Sequence, residues 1–273
     1  NLRKGKTSTI GIITEDIRFF PTPDIINGIG EGLEKVNYQM LVHDLHLYEK
    51  IWPDYEKIIN YKKRINKGVQ LLQQSMVSGI IYVCMHDRKL GKLIDPLDIP
   101  IVYAYSYSSE DESFVTYDDF VSGKEMTKHL IDLGHKDIGV ICGFPHSYPT
   151  KTRLKGILTA MEEEGLKLPQ EYIKYGDWEY QSGYDLTREL LSKKKRPSAI
   201  FALNDIMAAG SYRGAVEAGL RIPEDISIAG FDDRDIAPYM LPPLTTMNLP
   251  LKELGNRALD LLLDKINEEG KEP

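Results

Sequence analysis

The feature that most constrains the fold is a regular alternation of short apolar runs with amphipathic stretches, seen most clearly in residues 199–246. Ala199–Leu203 has the pattern of a buried parallel strand, and Asn204 is placed to cap an amphipathic helix over Ile206–Ala218. Ser227–Gly230 is the next buried strand, after which the chain enters an acidic loop. Ligands of open α/β sheets bind at the carboxyl ends of such strands. This stretch therefore predicts a ligand-binding edge.

The same alternation extends through the rest of the chain. The predicted strands are 10–14, 39–43, 79–84, 99–105, 138–142, 173–175, 199–203, 227–230 and 244–247. The predicted helices are 25–36, 65–76, 120–133, 153–164, 180–192, 206–218 and 251–266. Repeated βα units of this kind form parallel sheets covered by helices on both faces. The sequence predicts an α/β protein with two doubly wound parallel-sheet lobes and a ligand cleft between them.

One segment, His46–Tyr61, interrupts this pattern between the second strand and the next helix. Connections of that length are unusual in compact domains. The segment is either an extra helix packed on the first lobe or a mobile surface loop. We favour the helix, because Ile51, Trp52, Ile58 and Ile59 would otherwise be exposed.

Composition narrows the classes of protein to which the chain can belong. Its 273 residues, 42% of them hydrophobic, are enough for about two domains or one large one. The net charge is −7 and the isoelectric point about 5.5, whereas nucleic-acid-binding domains usually lie above roughly 9. The chain alone is therefore not expected to bind DNA. No apolar run approaches the ~18 residues of a membrane span, and no signal region follows the basic start. We expect a cytoplasmic protein with no membrane partner.

Motifs for cofactors, metals and catalysis are absent from the sequence. The glycines of GIGEGL (28–33) fall inside a predicted helix and do not follow a strand, so they do not form a dinucleotide-binding loop. The histidines do not cluster, and Cys84 and Cys142 end predicted buried strands, as reduced core thiols do. The adjacent carboxylates at 118–119 and 232–233 are not expected to converge as an acid–base pair. We predict no cofactor, no metal, no catalytic residue and no enzymatic activity.

A series of segments, taken together in their order and spacing, identifies a family. They are TSTIGIITEDI (7–17), GIIYVC (79–84), VTYDDFVSGKEMTKHLIDLGHKDIGVICG (115–143), RLKGILTAMEEEGL (153–166), GDWEYQSGY (176–184), FALNDIMAAG (201–210), GLRIPEDISIAGFDD (219–233) and PPLTT (242–246). Through these segments, residues 7–267 resemble the effector-binding core of LacI/GalR-family transcriptional regulators. That core has the type I periplasmic-binding-protein-like fold.

The resemblance implies a domain organisation and partners. Residues 1–7 would be the end of a linker to a DNA-binding helix-turn-helix module that this chain does not contain. Residues 8–118 with about 247–273 would form the first lobe, and 119–246 the second. The family implies a homodimer that contacts operator DNA through the missing module. It also implies a small-molecule effector.

The candidate ligand-binding residues of the second lobe are Arg153, Trp178, Asn204 and Asp232. The Arg153 guanidinium offers five donors in a planar fork that suits paired hydroxyls or a carboxylate. Trp178 could present a ring face to a sugar or a base, although packing alone would also explain it. The N-cap role alone would account for Asn204. Asp232 is an acceptor where a predicted strand ends. Matches to the family at RLKG and at the aromatic position favour ligand contact for Arg153 and Trp178.

The first-lobe candidates come from the resemblance. The loop TEDIRFFPTP (14–23) lies where the family places ligand contacts, which makes Asp16 and Phe20 candidates. Tyr105 and Asp118 match ligand-facing positions near the crossover between the lobes. The sequence departs from the family pattern in this loop, and Tyr105 replaces an acidic residue.

The predicted function is effector sensing by a transcriptional regulator, a repressor of carbohydrate metabolism that binds a sugar or sugar derivative. The alternative is a sugar-binding protein of a transport system, which uses the same fold. A purine-responsive regulator is a lesser alternative, because aromatic stacking with Arg153 and Asp232 could also serve a base. A sugar-processing enzyme fits poorly.

Overall fold

The computed structural model describes residues 8–86, 88, 93–107 and 112–269. The chain divides into two compact units. Unit 1 comprises the described residues up to Tyr117 together with those from Pro250 onward, and unit 2 comprises Asp118–Leu249. The predicted linker at residues 1–7 lies outside the described residues.

Unit 1 is built on a parallel sheet of five strands in the order β2-β1-β3-β4-β5. The strands are β1 (Thr9–Thr14), β2 (Gln39–Asp44), β3 (Gly79–Val83), β4 (Ile101–Ala104) and β5 (Ser113–Val115). The helices that follow the first two strands are α1 (Thr22–Val36), α2 (Tyr48–Ile51), a 3₁₀ helix (Tyr55–Tyr61) and α3 (Lys62–Gln74). β1 and β3 are almost wholly buried, as expected for the central strands of a sheet covered on both faces.

Unit 2 repeats this plan with a second parallel sheet in the order β10-β9-β8-β6-β7. Its strands are β6 (Ile138–Cys142), β7 (Ile173–Tyr175), β8 (Ala199–Ala202), β9 (Ser227–Asp232) and β10 (Thr245–Asn248). Its α-helices are α4 (Asp119–Asp132), α5 (Tyr148–Glu163), α6 (Tyr180–Leu191) and α7 (Asp205–Glu217), with short 3₁₀ helices at Gln170–Tyr172 and Ala237–Tyr239. The predicted class, α/β with two doubly wound parallel sheets, is confirmed.

Some boundaries differ from the sequence analysis. β10 pairs with β9 as far as Asn248 opposite Asp232, so residues 247–249 belong to unit 2 and not to the first lobe. Asp118 also belongs to unit 2, because its side chain caps α4. β4 ends before Tyr105, whose φ of 63° is a left-handed conformation that a strand does not adopt.

Helix α5 begins five residues earlier than predicted, at Tyr148 rather than Arg153. The side chain of Ser147 accepts a hydrogen bond from the Thr150 backbone N–H, and Pro149 occupies the first turn. A serine cap followed by proline is a start signal that the sequence carries. Arg153 therefore lies in the second turn of α5, with its backbone already fixed by the helix.

The irregular segment 46–61 is helical, as favoured from the sequence, since it contains α2 and the first 3₁₀ helix. Ile51 and Ile58 are buried in the unit 1 core, and Trp52 packs against that core. Ile59 is an exception, because 56% of it is exposed.

Glycines set the closest helix contacts in both units. In unit 1 a Cβ on Gly28 of α1 would lie 2.1 Å from the carbonyl oxygen of Lys252 in α8 (Leu251–Glu269). The glycine-containing segment 28–33 therefore packs α1 against α8. In unit 2 a Cβ on Gly123 of α4 would lie 2.6 Å from the Arg153 carbonyl oxygen. A Cβ on Gly156 would lie 2.1 Å from the Phe120 carbonyl oxygen. These glycines let α4 and α5 meet backbone to backbone.

Cys84 and Cys142 are free and buried, as predicted, and burial raises the pKa of Cys142 to about 12. Of the helices in the described ranges, none has both the length and the apolar character needed to cross a bilayer.

Candidate functional site

Arg153 is the centre of the candidate site in unit 2. It is only 2% exposed. Its Nε donates to Oδ1 of Asp119 at 2.6 Å, and its Nη1 donates to the backbone oxygen of Leu203, also at 2.6 Å. The guanidinium carbon lies 3.6 Å from the ring centroid of Phe231. Groups from three places, α4, the residue directly after β8, and β9, thus fix the plane of the buried guanidinium.

The start of α4 fixes the position of Asp119. Asp118 caps that helix, its Oδ1 accepting from the backbone N–H groups of Phe120 and Val121 at 2.9 and 3.0 Å. Asp119 is therefore the first helical residue, where the helix dipole favours a carboxylate. The close approach at Gly123 brings α5 against this turn, so that Asp119 meets Arg153.

Asp232 is the last residue of β9 and is 7% exposed. Its φ of 115° ends the strand. Oδ1 lies 3.9 Å from Nη1 of Arg153, beyond hydrogen-bond distance. Burial raises the pKa of Asp232 to about 8, and the charge of Arg153 opposes that rise only in part.

Asn204 and Trp178 are joined to each other. The side-chain oxygen of Asn204 accepts from the Met207 backbone N–H at 2.7 Å, which confirms the N-cap, and its Nδ2 donates to the Trp178 backbone oxygen at 2.9 Å. The Trp178 indole lies against Gly143, where a Cβ would come 1.9 Å from Cε2. Its ring centroid is 5.8 Å from the guanidinium carbon of Arg153.

The structure therefore brings together the residues predicted for the second lobe, Arg153, Trp178, Asn204 and Asp232. It adds Asp119 and Phe231, which the sequence analysis missed. Asp119 was set aside there as one of two adjacent carboxylates, yet Asp118 is exposed and Asp119 is buried. The available signal was its place directly after a helix cap, at the buried start of an amphipathic helix.

Asp205 is a further buried carboxylate of the site, at the first helical position of α7. Oδ1 accepts from the Thr246 hydroxyl at 2.6 Å, and Oδ2 accepts from the Arg234 backbone N–H at 2.7 Å. Burial raises the pKa of Asp205 to about 6, against the lowering effect of these hydrogen bonds.

The remaining predicted residues have other local partners. Asp16 is buried, and its two carboxylate oxygens accept from Nε and Nη2 of Arg18, each at 3.1 Å. Burial would raise the pKa of Asp16, but the bonds from Arg18 hold it below its usual value. The hydroxyl of the buried Tyr105 lies 3.5 Å from that of Tyr117. Phe20 is half-buried, directly before α1. Their contact with a ligand, like that of Asp118, stays a prediction.

Comparison with known proteins shows the family of the chain. Residues 127–273 match the family model of the periplasmic binding protein-like domain. The ribose operon repressor of Escherichia coli K12 is 34% identical over 272 residues, covering 98% of this chain and 78% of the relative. The transcriptional repressor PurR of Pasteurella multocida is 31% identical over 275 residues, covering 100% and 78%.

Solved structures show the same fold. A Rhizobium etli protein described as a LacI-family transcriptional regulator has a TM-score of 0.79 and 27% identity, with 98% of this chain and 93% of that chain covered. The lac repressor dimer bound to operator has a TM-score of 0.77 at 22% identity, with 97% and 89% covered, a likeness of fold.

Proposed function

Because this chain belongs to the LacI/GalR family of transcriptional regulators, as its effector-binding core, we propose that the cluster around Arg153 binds a sugar or sugar derivative that controls operator binding. The curated relatives are transcriptional repressors and not enzymes.

One observation carries the proposal. The guanidinium of Arg153, held in one orientation by hydrogen bonds, lies beside aromatic rings and polar side chains at the carboxyl ends of β8 and β9. Asp119 and Leu203 hold the Arg153 fork in place, and Phe231 and Trp178 supply ring faces. Asn204 and Asp232 add polar atoms at the same edge. A few fixed polar groups among aromatic surfaces are the usual composition of a small-molecule site, and together they suit the hydroxyls and C–H faces of a sugar.

The relatives point to two classes of effector, a sugar and a purine. The ribose operon repressor is 34% identical to this chain, which makes D-ribose the first compound to test. The PurR relatives keep a purine as the second candidate, since ring faces and Arg153 could also hold a base. A transport protein would use the same fold, but the relatives named above are repressors.

The partners are proposals as well. We propose a cytoplasmic homodimer that contacts operator DNA through a module outside this chain. The matched region is 78% of the ribose operon repressor, so part of that relative lies outside the match. In unit 2, the loop between β9 and β10 leaves Tyr239 83% and Leu241 88% exposed. Large apolar side chains exposed in this way suit a surface that a second copy covers.

The decisive experiment is a thermal-shift panel of D-ribose, other pentoses and hexoses, sugar phosphates and purines. It is run on the wild type, on Arg153→Lys, and on Arg88→Lys as the matched control, since Arg88 is also a buried, ion-paired arginine. A compound that binds the folded state raises the melting temperature by mass action.

We expect at least one sugar to stabilise the wild type and the Arg88→Lys protein, and to lose that effect in Arg153→Lys. Circular dichroism checks that each variant is folded. An undiminished shift in Arg153→Lys would show that the effector binds elsewhere. Stabilisation by purines alone would replace the sugar with a base.

A further inference from the structure

A groove beside α3 belongs to unit 1, whereas the Arg153 cluster belongs to unit 2. Its volume is about 750 Å³, within the range of roughly 300–1,000 Å³ that small-molecule sites occupy. Lys62, Lys63 and Lys67 of α3 line it, together with Ile59 at the end of the preceding 3₁₀ helix. The groove is therefore large enough for a small molecule, and it accounts for the exposure of Ile59.

Hydrogen bonds fix two further lining residues of the groove, Asn66 and Asp95, against each other. The side-chain oxygen of Asn66 accepts from the Asp95 backbone N–H at 2.8 Å. Its Nδ2 donates to the backbone oxygens of Lys62 at 2.9 Å and Leu93 at 3.1 Å. Because these bonds tie α3 to the chain before β4, the fold itself sets the shape of the groove.

The charge of the groove is positive, although the whole chain has a net charge of −7. Asp95 is the only carboxylate among its lining residues, and it lies 2.9 Å from Nζ of Lys62. Lys63 and Lys67 are exposed, and neither forms an ion pair within the part of the chain that the structure describes. They stand four residues apart on α3, where like charges repel and destabilise the helix. The groove thus has two positive charges that its own lining does not neutralise.

The position of these lysines on α3 argues against DNA as the ligand. β1 and β3 are parallel and start side by side, with Ile10 opposite Gly79. α3 ends at Gln74, shortly before β3, so its last turn lies near the edge where these strands begin. Lys62 and Lys63 stand at the other end of this 13-residue helix, which is about 20 Å long. They are therefore remote from the start of β1, where the DNA-binding module of the proposed function would join.

We propose that this groove is a second ligand site, for a small molecule that carries a phosphate monoester. Such a group has a charge of about −1.5 to −2 at pH 7 and three acceptor oxygens, which matches the two positive charges that lack a partner. Lysine ammonium groups are common phosphate ligands in proteins. The side-chain amides of Asn60 and Gln70 and the apolar surface of Ile59 contact the rest of the ligand. The inference goes beyond the proposed function and holds whether or not the Arg153 cluster binds a sugar.

Two double variants with the same change in charge test the site. Lys63→Gln/Lys67→Gln removes the two ammonium groups without an ion pair. Because it also removes a repulsion within α3, its melting temperature without ligand should not fall. Lys193→Gln/Lys194→Gln is the matched control, since it removes two charges from another basic run, in the loop between α6 and β8. Arg153→Lys distinguishes the groove from the unit 2 site.

The measurement is calorimetric titration at low salt with D-glucose 6-phosphate, which carries one phosphate monoester, and with D-glucose as its uncharged counterpart. We expect the wild type, the control and Arg153→Lys to bind D-glucose 6-phosphate with dissociation constants within about twofold of one another. Lys63→Gln/Lys67→Gln should bind it at least tenfold more weakly. D-Glucose should not displace it from the wild type.

Four results would overturn the inference. The first is an absence of D-glucose 6-phosphate binding to the wild type. The second is an equal loss in both double variants, which would mean that only the overall charge matters. The third is a loss in Arg153→Lys alone, which would assign the phosphate to unit 2. The fourth is displacement by a short DNA duplex, which would make the groove a nucleic-acid contact. The thermal-shift panel decides the proposed sugar function separately.

Discussion

Each unit buries one arginine against one carboxylate near the carboxyl ends of its strands, yet the two pairs differ in their surroundings. In unit 1, Arg88 pairs with Glu15, which directly follows β1. In unit 2, Arg153 pairs with Asp119. All four side chains are at most 3% exposed.

The unit 1 pair is closed. Glu15 accepts hydrogen bonds from Arg88, from the Tyr82 hydroxyl at 3.0 Å and from the Met85 backbone N–H at 3.2 Å. One positive charge faces one negative charge, and both carboxylate oxygens have donors. Burial, with the charge of Glu15, raises the pKa of Tyr82, so its hydroxyl stays a donor. Such a cluster links β1 to the chain after β3.

The unit 2 pair has further acids and aromatic rings around it. Asp232 lies 3.9 Å from the same guanidinium, Asp205 adds its charge near Asp232, and Phe231 and Trp178 face the guanidinium. The comparison shows that a buried arginine–carboxylate pair is by itself a structural element. The second carboxyl group and the aromatic rings beside the guanidinium are the features of the unit 2 pair on which the proposed recognition rests.

The largest effect is expected for Glu15→Gln, which leaves the buried Arg88 without its counterion. Removal of one member of a buried pair costs about 3–5 kcal/mol. We expect the free energy of unfolding, measured in urea at pH 7, to fall by that amount. The double variant Glu15→Gln/Arg88→Met should recover part of the loss, since no buried charge remains. A loss below ~1 kcal/mol in the single variant would mean that the pair is not a closed structural link.

A smaller effect is expected for Asp119→Asn, although that pair is equally buried. Asp232, 3.9 Å from Arg153, can ionise and act as its counterion once the carboxylate of Asp119 is gone. An amide oxygen at position 119 can still accept from Nε. We expect a loss of about 1–2 kcal/mol, the scale of one weakened hydrogen bond. A loss as large as that of Glu15→Gln would remove the distinction between the two pairs.

Phe231→Leu should cost about 1 kcal/mol, because it removes the ring beside the Arg153 guanidinium and leaves most of the buried apolar volume. Weaker binding of the stabilising sugar should accompany this change. The same substitution at Phe201, buried in β8 of the same sheet, is the control. It should cost as much stability or more and leave sugar binding intact. If both variants bind equally well, the ring of Phe231 has no part in recognition.

The smallest effect is expected at an exposed ion pair. Asp225 accepts from Nε and Nη2 of Arg221 at 2.8 and 2.9 Å, and these bonds hold its pKa below the usual range. Solvent screens such pairs. Asp225→Asn should therefore leave the urea midpoint within experimental error. A clear destabilisation would show that burial is not what separates the strong pairs from the weak ones.

Sequence patterns were sufficient to predict the fold, because the spacing of apolar residues and the helix caps are local properties of the chain. β6 and β7 have the predicted bounds, and Asn204 caps α7 as expected. The prediction began α5 at Arg153, although the Ser147 cap and Pro149 mark an earlier start. The end of β4 was missed because the left-handed conformation of Tyr105 has no signal in an apolar run.

The candidate site was predictable only in part. Trp178, Asn204 and Asp232 lie where strands end or helices begin, at the sheet edge where ligands of such folds bind. Arg153 was predicted from the same rule, although it lies in the second turn of α5. Asp119 comes from a helix that packs on α5 through Gly123, a contact between elements that no local pattern specifies. The closed Glu15–Arg88 pair joins residues 73 positions apart and was not predicted.

The chain has two tryptophans, Trp52 in unit 1 and Trp178 beside Arg153 in unit 2. This permits the most direct test of the claim that the Arg153 cluster recognises the effector. The measurement is tryptophan fluorescence during titration of the stabilising sugar into Trp52→Phe, where Trp178 is the sole reporter. We predict a saturable change with the dissociation constant that calorimetry gives for the same protein. Binding seen by calorimetry with no change in Trp178 emission would contradict the account.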